Sequence, residues 1–258
     1  MTTNPNININ LNSTINTNIK ILCIIPARSG SKGIKDKNIK SFKGKPLLAW
    51  SICQAQQSQY SHQMKIIVST DSQEYAEIAR QYGAEIPFLR PDNISHDTST
   101  DYEYIEHAVS FLRREGYNPD IILQLRPTSP LRKSETIDEC LSIFIKNRQK
   151  YDSLRTVVSF DKSPFKMYTI ENEELKPLFL NVNEIQEPYN QCRQVLPTCY
   201  LHNGYIDIFN TTLLDTHTIS GKTIYPYVMD KEDEIDIDTM DDWNKATKSE
   251  TTNTNGEK

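Results

Sequence analysis

Apolar residues in the first part of the chain fall into short continuous runs that alternate with amphipathic segments. The continuous runs are typical of strands buried on both faces, and the amphipathic segments repeat apolar residues at helical spacing. In chain order the pattern predicts strand 20–25, helix 46–58, strand 65–70, helix 71–81 with Asp71 as its N-terminal cap, strand 85–89, helix 101–115, strand 120–125 and helix 134–147. This alternation predicts right-handed crossovers and a three-layer α/β fold around a mostly parallel sheet.

The regular alternation ends after residue 152. One more apolar run predicts a strand at 153–158, but residues 161–200 are rich in Pro, Asn and Glu and have no clear period. We interpret this stretch as an excursion from the sheet, either a small sub-domain or a dimerisation arm. Sheet and helix patterns then return, as strands at 205–209, 224–228 and 235–238 and a helix from residue 239.

The two ends of the chain have a different composition. Residues 1–18 are mostly Asn and Thr with isolated Ile, and they contain neither a basic residue nor a continuous apolar run. Such a segment lacks the features of a signal peptide, and we expect a disordered polar tail rather than an ordered edge strand. Residues 248–258 are similarly polar, so a single domain is predicted over residues 19–247.

Composition narrows the possible classes of protein. The chain has 258 residues, of which 37% are hydrophobic and 24% charged, which excludes wholesale disorder. No run approaches the roughly 20 apolar residues of a membrane helix. The net charge of −5 argues against a general nucleic-acid binder. Five cysteines without a C-x-x-C pair favour reduced thiols and a cytoplasmic location.

The loop after the first strand carries the strongest chemical signal. Residues 26–33 contain two glycines and two serines, and they leave the strand at the sheet edge where open α/β sheets bind ligands. Glycines there let backbone N–H groups surround a phosphate. The spacing matches neither the dinucleotide fingerprint nor the P-loop. Residues 28–45 contain one acidic residue, Asp36, and seven basic residues. The basic residues are Arg28, Lys32, Lys35, Lys37, Lys40, Lys43 and Lys45. This density predicts a triphosphate site; the alternative is a solvated basic loop.

A second signal lies near the carboxyl end, where residues 234–238 alternate acidic and apolar side chains. In a strand, Asp236 and Asp238 would project from one face, about 7 Å apart, with Ile235 and Ile237 facing the core. Two such carboxylates can bind a hard cation such as Mg²⁺. The alternative is a solvent-facing edge strand.

With these signals the chain resembles the acylneuraminate cytidylyltransferase family, the CMP-sialic acid synthetases. The motifs occur in family order over about residues 20–242. They are Ile25-Pro-Ala-Arg-Ser-Gly-Ser-Lys-Gly33, Lys37-Asn38, Val68-Ser-Thr-Asp71, Leu89-Arg-Pro91, Asp97-Thr98, Arg126-Pro-Thr-Ser-Pro-Leu-Arg132, Asn203-Gly204 and Ile235-Asp-Ile-Asp-Thr239.

The resemblance implies an activity and an assembly. CMP would pass from CTP to the anomeric hydroxyl of a nonulosonic sugar acid, with pyrophosphate released and Mg²⁺ required. The fold would be of the nucleotide-diphospho-sugar transferase type. The protein would be a homodimer, and the arm at about 161–200 would help to complete the neighbour's sugar site.

The resemblance also implies roles for individual residues. Arg28 and Lys37, together with the metal ligands Asp236 and Asp238, would carry catalysis. The nucleotide would contact Arg28, Ser31, Lys32, Lys37, Asn38, Arg90, Asp97 and Thr98. The sugar acid would contact Arg126, Lys166, Arg193 and Asn203. His107 and His202 are candidates for the general base by residue type only.

Two stretches of the chain depart from the family pattern. Arg126 stands where the sialic acid enzymes usually have Gln, and Leu201 and His202 occupy a stretch where they often have Arg. Our hypothesis is that Arg126 compensates by neutralising the sugar carboxylate. Legionaminate, pseudaminate or a related nonulosonate is therefore as good a candidate as N-acetylneuraminate. Alternatives are a cytidylyltransferase for 3-deoxy-octulosonate or a phosphonate, and a non-catalytic nucleotide-binding module.

Overall fold

A computed structural model describes residues 19–233 and 235–249. The predicted tails lie outside these residues, except for residues 248 and 249. The described strands are β1 (Ile21–Pro26), β2 (Ser41–Phe42), β3 (Lys45–Pro46), β4 (Met64–Ser69), β5 (Ile121–Gln124), β6 (Ser153–Phe160), β7 (Tyr168–Glu171), β8 (Glu174–Pro177), β9 (Asn181–Val182), β10 (Ile185–Gln186), β11 (Cys199–Asn210) and β12 (Ile224–Met229). The described helices are α1 (Leu47–Gln57), α2 (Gln73–Gln81), α3 (Asp101–Arg114), α4 (Ser134–Asn147) and α5 (Met240–Lys248).

A six-stranded sheet forms the centre of the molecule, in the order β12-β6-β11-β5-β1-β4. β1 pairs in parallel with β4 and with β5, and β12 pairs in parallel with β6. β11 is the exception, because it runs antiparallel to both of its neighbours. The predicted α/β fold with a mostly parallel sheet is confirmed. The carboxyl ends of β1, β4 and β5 therefore meet at one edge.

Alternate residues of β1 enter two different cores, which explains its continuous apolar sequence. Cys23 and Ile25 pack in the core that includes residues of α1, α2 and α4. Leu22 and Ile24 pack on the opposite face, in the core that includes α3. Burying one large aliphatic side chain stabilises the fold by about 1.5–3 kcal/mol, so both faces hold the strand in place. The result is the expected three-layer arrangement.

Three local predictions are wrong. Residues 85–89 form no strand, only a single bridge between Glu85 and Ile67, because Pro87 has no N–H to donate to a ladder. The cap of α2 is Ser72, whose hydroxyl accepts from the Tyr75 N–H, and not Asp71. Residues 235–238 belong to no strand, although Ile237 is fully buried and its N–H donates to the Thr128 carbonyl at 2.8 Å.

The excursion lies outside the central sheet. It contains two small hairpins, β7–β8 and β9–β10, each paired only within itself. Its surface carries large apolar side chains that are at least one third exposed: Met167, Tyr168, Ile170, Leu175, Leu178, Phe179, Leu180 and Val195. Its role as a dimerisation arm remains a prediction. β11 starts earlier than expected and carries an irregular register between His202 and Asp207.

Among the residues that the structure describes, no helix combines the length and the apolar composition that crossing a bilayer requires.

Candidate active site

A cleft of about 420 Å³ opens at the carboxyl edge of the sheet, beyond β1 and β5. Its wall combines the glycine loop, the start of α3, the segment after β5 and the carboxyl-terminal aspartates. The predicted site residues on this wall are Arg28, Ser31, Lys32, Lys37, Asn38, Arg90, Arg126 and Asp238. Residues that are 200 positions apart in the chain are thus brought together as the motifs predicted.

The glycine loop is held by side chains from neighbouring segments. The Ser29 N–H and hydroxyl each donate to the carboxylate of Asp71, both at 2.7 Å. The Asn38 amide donates to the Arg28 carbonyl at 3.0 Å. Gly30 has a φ of 73°, in the left-handed region that favours glycine. Asp71 therefore fixes the loop, a role that the sequence did not reveal because a helix cap was the simpler interpretation.

The same loop packs directly against the aspartate segment. A Cβ on Gly33 would lie 2.4 Å from the Asp238 carbonyl oxygen, so only glycine permits this approach. Lys37 Nζ donates to the Ile237 carbonyl and to Asp238 Oδ1, both at 2.8 Å. Arg28 and Asp238 accordingly line one cleft, as the phosphate-and-metal hypothesis requires.

Asp236 and Asp238 lie on either side of buried Ile237 and are both exposed, but only Asp238 is on the cleft wall. Reduced hydration raises the pKa of Asp236, and the charge of Asp238 raises it further, while contact with the Thr128 hydroxyl lowers it. No group of three or more His, Cys, Asp or Glu residues suited to a metal occurs among the described residues. Mg²⁺ usually binds one or two carboxylates together with substrate phosphates. This pair of mutually repelling oxygen donors fits that requirement.

Arg28 and Lys32, the two outer cations of the glycine loop, share a single acidic partner. Arg28 Nη2 lies 2.5 Å from Asp97 Oδ1, and the ammonium of Lys32 contacts the other oxygen of the same carboxylate. These contacts lower the pKa of Asp97, the bond from Lys32 most strongly. Thr98 is exposed and is not part of the cleft wall. Asp97 therefore does not line the cleft itself but contacts two residues that do, Arg28 and Lys32.

Arg90 is buried in the wall of the cleft. Its guanidinium donates to the Ser69 hydroxyl at 3.0 Å and to the Ser69 carbonyl at 2.6 Å. It also stacks on the Tyr104 ring, 4.5 Å from the ring centroid. Burial lowers the pKa of Arg90. The stacked pair offers a flat surface of the kind that a base can pack against.

Arg126 is engaged by protein carboxylates. Its Nη1 lies 2.7 Å from Asp207 Oδ2, and its Nη2 lies 2.5 Å from Asp101 Oδ2. Burial works against the charged guanidinium, but these two carboxylates outweigh it and raise the pKa of Arg126. Gly204, with a φ of 63°, makes room for the side chain, since a Cβ there would lie 2.8 Å from Arg126 Nη1. Arg126 is thus already neutralised by the protein. To bind a sugar carboxylate, as the hypothesis requires, its guanidinium would have to release Asp101 or Asp207.

The two candidate histidines occupy different surroundings. His202 Nε2 lies 2.7 Å from Asp207 Oδ1 and so joins the Arg126 network. Asp207 is almost fully buried, yet its bond from His202 and the charge of Arg126 keep its pKa below the usual value. His107 packs edge-on against Phe88, and its ring is not part of the cleft wall. Neither ring reaches the cleft wall.

Three predicted sugar contacts lie outside the cleft. Lys166 and Arg193 belong to the excursion, where Arg193 is exposed and lies 3.5 Å from Asp161. The Asn203 side chain is buried, and its Oδ1 accepts from the Thr156 hydroxyl at 2.7 Å and from the Tyr205 N–H at 3.2 Å. The structure thus gives Asn203 a packing role. A sugar contact by Lys166 or Arg193 remains a prediction that requires a second chain.

The sequence missed several residues of the cleft and its support. The missed residues on the wall include His96, Ser99, Asp101, Tyr104 and Thr128. The capping box formed by Thr100 and Glu103 was an available signal, since it starts α3 at Asp101. Buried Arg132 donates to the Tyr205 carbonyl at 2.6 Å and the Arg126 carbonyl at 2.8 Å. Burial lowers the pKa of Arg132 to about 10. Arg132 fixes the segment that carries Arg126.

A sheet edge with a cationic glycine loop and an adjacent carboxylate pair is typical of α/β proteins that bind nucleotides. Residues 22–251 match the family model described as Cytidylyltransferase. The chain therefore belongs to the cytidylyltransferase family, whose members are nucleotidyltransferases, and the resemblance drawn from the motifs is confirmed.

Individual relatives agree with this membership. The chain is 35% identical over 230 residues to an N-acylneuraminate cytidylyltransferase of Escherichia coli O18:K1:H7, covering 88% of this chain and 51% of that protein. It thus spans about half the length of that relative. It is 32% identical to a CMP-N,N'-diacetyllegionaminic acid synthase of Legionella pneumophila, covering 87% and 94% of the two chains. A CMP:2-keto-3-deoxy-manno-octonic acid synthetase complexed with CTP shares the fold, with a TM-score of 0.62, 14% identity and coverage of 88% and 97%.

Proposed function

We propose that the protein transfers CMP from CTP to the anomeric hydroxyl of a nonulosonic sugar acid, with Mg²⁺ as cofactor and pyrophosphate as the second product. The observation that carries this proposal is the double contact of Lys37 with Ile237 and Asp238, which joins the glycine loop to the carboxylate pair. A triphosphate and its metal ion need this combination of cations and carboxylates in one cleft.

Phosphoryl transfer asks the protein mainly to position the reactants and to neutralise charge. The anomeric oxygen would form a bond to the α-phosphorus, the bond from that phosphorus to the bridging oxygen would break, and the hydroxyl proton would pass to solvent water. Arg28 and Lys32 are suited to hold the departing pyrophosphate. Asp236 and Asp238 would hold Mg²⁺, which supplies positive charge beside the phosphates when bound. Lys37 keeps Asp238 in place.

The relatives, rather than any single residue of the cleft, support the class of sugar acid that we propose as acceptor. The names of the Escherichia coli and Legionella pneumophila proteins support a nonulosonate, and they differ in which one. Arg126 and its two carboxylates are the part of the cleft where this chain departs from the sialic acid pattern. We therefore keep N-acetylneuraminate, legionaminate and pseudaminate as candidates.

The same proposal includes a homodimer formed through the excursion, and a cytoplasmic location. The side chains of Ile170, Leu175 and Leu180 are between 66% and 76% exposed, which is unusual for large aliphatic residues on one segment. A second copy of the chain would cover them. Light scattering on the purified protein should give about twice the chain mass of 29.8 kDa. A monomer at micromolar concentration contradicts this part.

The activity is tested with CTP, Mg²⁺ and a panel of acids containing the three nonulosonates, 3-deoxy-octulosonate and a phosphonate. Pyrophosphate release and the mass of the product are measured together. We expect a CMP-linked nonulosonate and no product without Mg²⁺. A product from only 3-deoxy-octulosonate or the phosphonate would replace the acceptor in the proposal. Binding of CTP without any product would identify a binding module instead.

A further inference from the structure

One exposed carboxylate engages both outer cations of the glycine loop. Asp97 contacts Arg28 with one oxygen and Lys32 with the other. The inner edge of the Arg28 guanidinium already faces the backbone, where Nη1 lies 3.4 Å from the carbonyls of Ser29 and Gly30. Asp97 therefore takes the outer edge, which is the edge available to another anion.

The segment that carries Asp97 is exposed. His96, Asp97 and Thr98 all lie at the surface, between a short turn at Asp92–Ile94 and the start of α3. The Lys32 side chain is 79% exposed, so its pair with Asp97 is screened by water. These ion pairs can therefore be exchanged at small cost.

We propose that Asp97 is an internal competitor for the polyphosphate bound by Arg28 and Lys32. A phosphate group and the Asp97 carboxylate need the same donors of these two cations. As pyrophosphate leaves, Asp97 re-forms its ion pairs, so the cations are never left without a counter-charge. The presence of Asp97 thus weakens product binding and speeds product release. The proposal depends on the proposed function in one respect, namely that pyrophosphate is the leaving group.

This role predicts the opposite effect on binding affinity from the role that the family resemblance implies for Asp97. A residue that lines the nucleotide site or orients Arg28 and Lys32 strengthens binding, so its removal weakens the complex. Removal of a competitor strengthens it. The direction of a single affinity change therefore distinguishes the two roles, whatever its size.

The test is calorimetric titration of pyrophosphate into the full chain in EDTA, so that no metal contributes. The variants are Asp97→Asn, Asp97→Ser and the control Asp92→Asn, which removes the same charge from a neighbouring exposed residue. The two Asp97 variants should bind about threefold to tenfold more tightly than the unmodified protein, as two exposed ion pairs are lost. The control should bind as the unmodified protein does. Equal or weaker binding by both folded Asp97 variants overturns the proposal.

A kinetic measurement separates this result from the proposed function. With CTP and an accepted nonulosonate, Asp97→Asn should show stronger inhibition by added pyrophosphate and a lower kcat. If turnover occurs and pyrophosphate binds no more tightly to the variant, the competitor role fails and the function stands. If no acid is turned over but the affinity rises as expected, the function fails and the competition at Arg28 and Lys32 stands.

Discussion

The two ends of the cleft hold their arginines in different ways. At the phosphate end, Arg28 is paired with Asp97, which is exposed and also serves Lys32. At the other end, Arg126 is paired with Asp207, whose side chain is only 5% exposed. An ion pair in water can exchange partners at little cost, whereas a buried charge that loses its partner is strongly destabilising. The ion pairs of Asp97 at the phosphate end can thus exchange partners. The pair of Arg126 with Asp207 at the other end is permanent.

The largest expected effect comes from breaking the permanent pair. Asp207→Asn removes one of the two carboxylate charges that compensate Arg126. The single oxygen of the new amide can accept from Arg126 or from His202 but not from both. Loss of one partner of a buried pair costs about 3–5 kcal/mol, and because Arg126 keeps Asp101 we expect the free energy of unfolding to fall by about 3 kcal/mol. Urea unfolding measures it.

Asp97→Asn makes the same chemical change at the exposed end and serves as the control. Its free energy of unfolding should fall by much less than that of Asp207→Asn, because exposed ion pairs contribute little to stability. A similar loss of stability in both variants would remove the distinction between the two ends.

The second effect is on catalysis at the phosphate end. Asp238→Ala removes one of the proposed Mg²⁺ ligands and the partner of Lys37. By analogy with a deleted oxyanion donor, the barrier should rise by about 3–4 kcal/mol, and pyrophosphate release should fall 10²–10³-fold with the fold intact. Steady-state pyrophosphate assays and circular dichroism measure the two properties. Asp241→Ala, in the first turn of α5, is the control and should keep normal turnover. Near-normal turnover of Asp238→Ala would refute the metal assignment.

A smaller effect tests whether Gly204 is needed to make room for the Arg126 side chain. Gly204→Ala introduces a Cβ at positive φ, 2.8 Å from Arg126 Nη1. Strain of this kind costs about 1–3 kcal/mol of stability. In the background of Arg126→Gln the contact with Nη1 is gone, and part of that cost should disappear in a double-mutant cycle. Additive losses in the cycle would show that the backbone conformation alone requires glycine.

The sequence predicted the fold better than it predicted the contacts. Short continuous apolar runs such as that of β1, rich in β-branched residues and ended by proline, are typical of a strand covered on both faces, so the parallel sheet followed from local pattern. The alternation at residues 235–238 correctly predicted a buried Ile237 between two exposed carboxylates, although no strand forms. Burial requires only an extended backbone, whereas a strand requires a neighbour with unpaired groups, and the local sequence does not contain that information.

Most of the candidate cleft followed from ordered motifs, and what was missed depends on distant pairs. Asp71 was assigned to a helix cap because its partner, Ser29, lies 42 residues earlier in the chain. Arg126 was assigned to a substrate carboxylate because the sequence places neither Asp101 nor Asp207 beside it. Asn203 was assigned to the sugar, but its side chain is buried, in the part of β11 where the register with β6 is irregular.

The smallest effect follows from the pH dependence of the permanent pair. The folded-state pKa of Asp207 lies below the ordinary value of 3.8, so the unfolded chain binds more protons in acid. The stability that Asp207 contributes is therefore complete above about pH 4 and is lost as the pH falls through the lower, folded-state pKa. Urea unfolding of the unmodified protein and of Asp207→Asn between pH 3 and pH 6 should give stabilities that converge towards acid. Other aspartates with lowered pKa values contribute equally to both proteins, so the difference reports on Asp207 and the groups that contact it. A difference that stays constant over this range would mean that Asp207 keeps its charge throughout, or that its partners tolerate the protonated form.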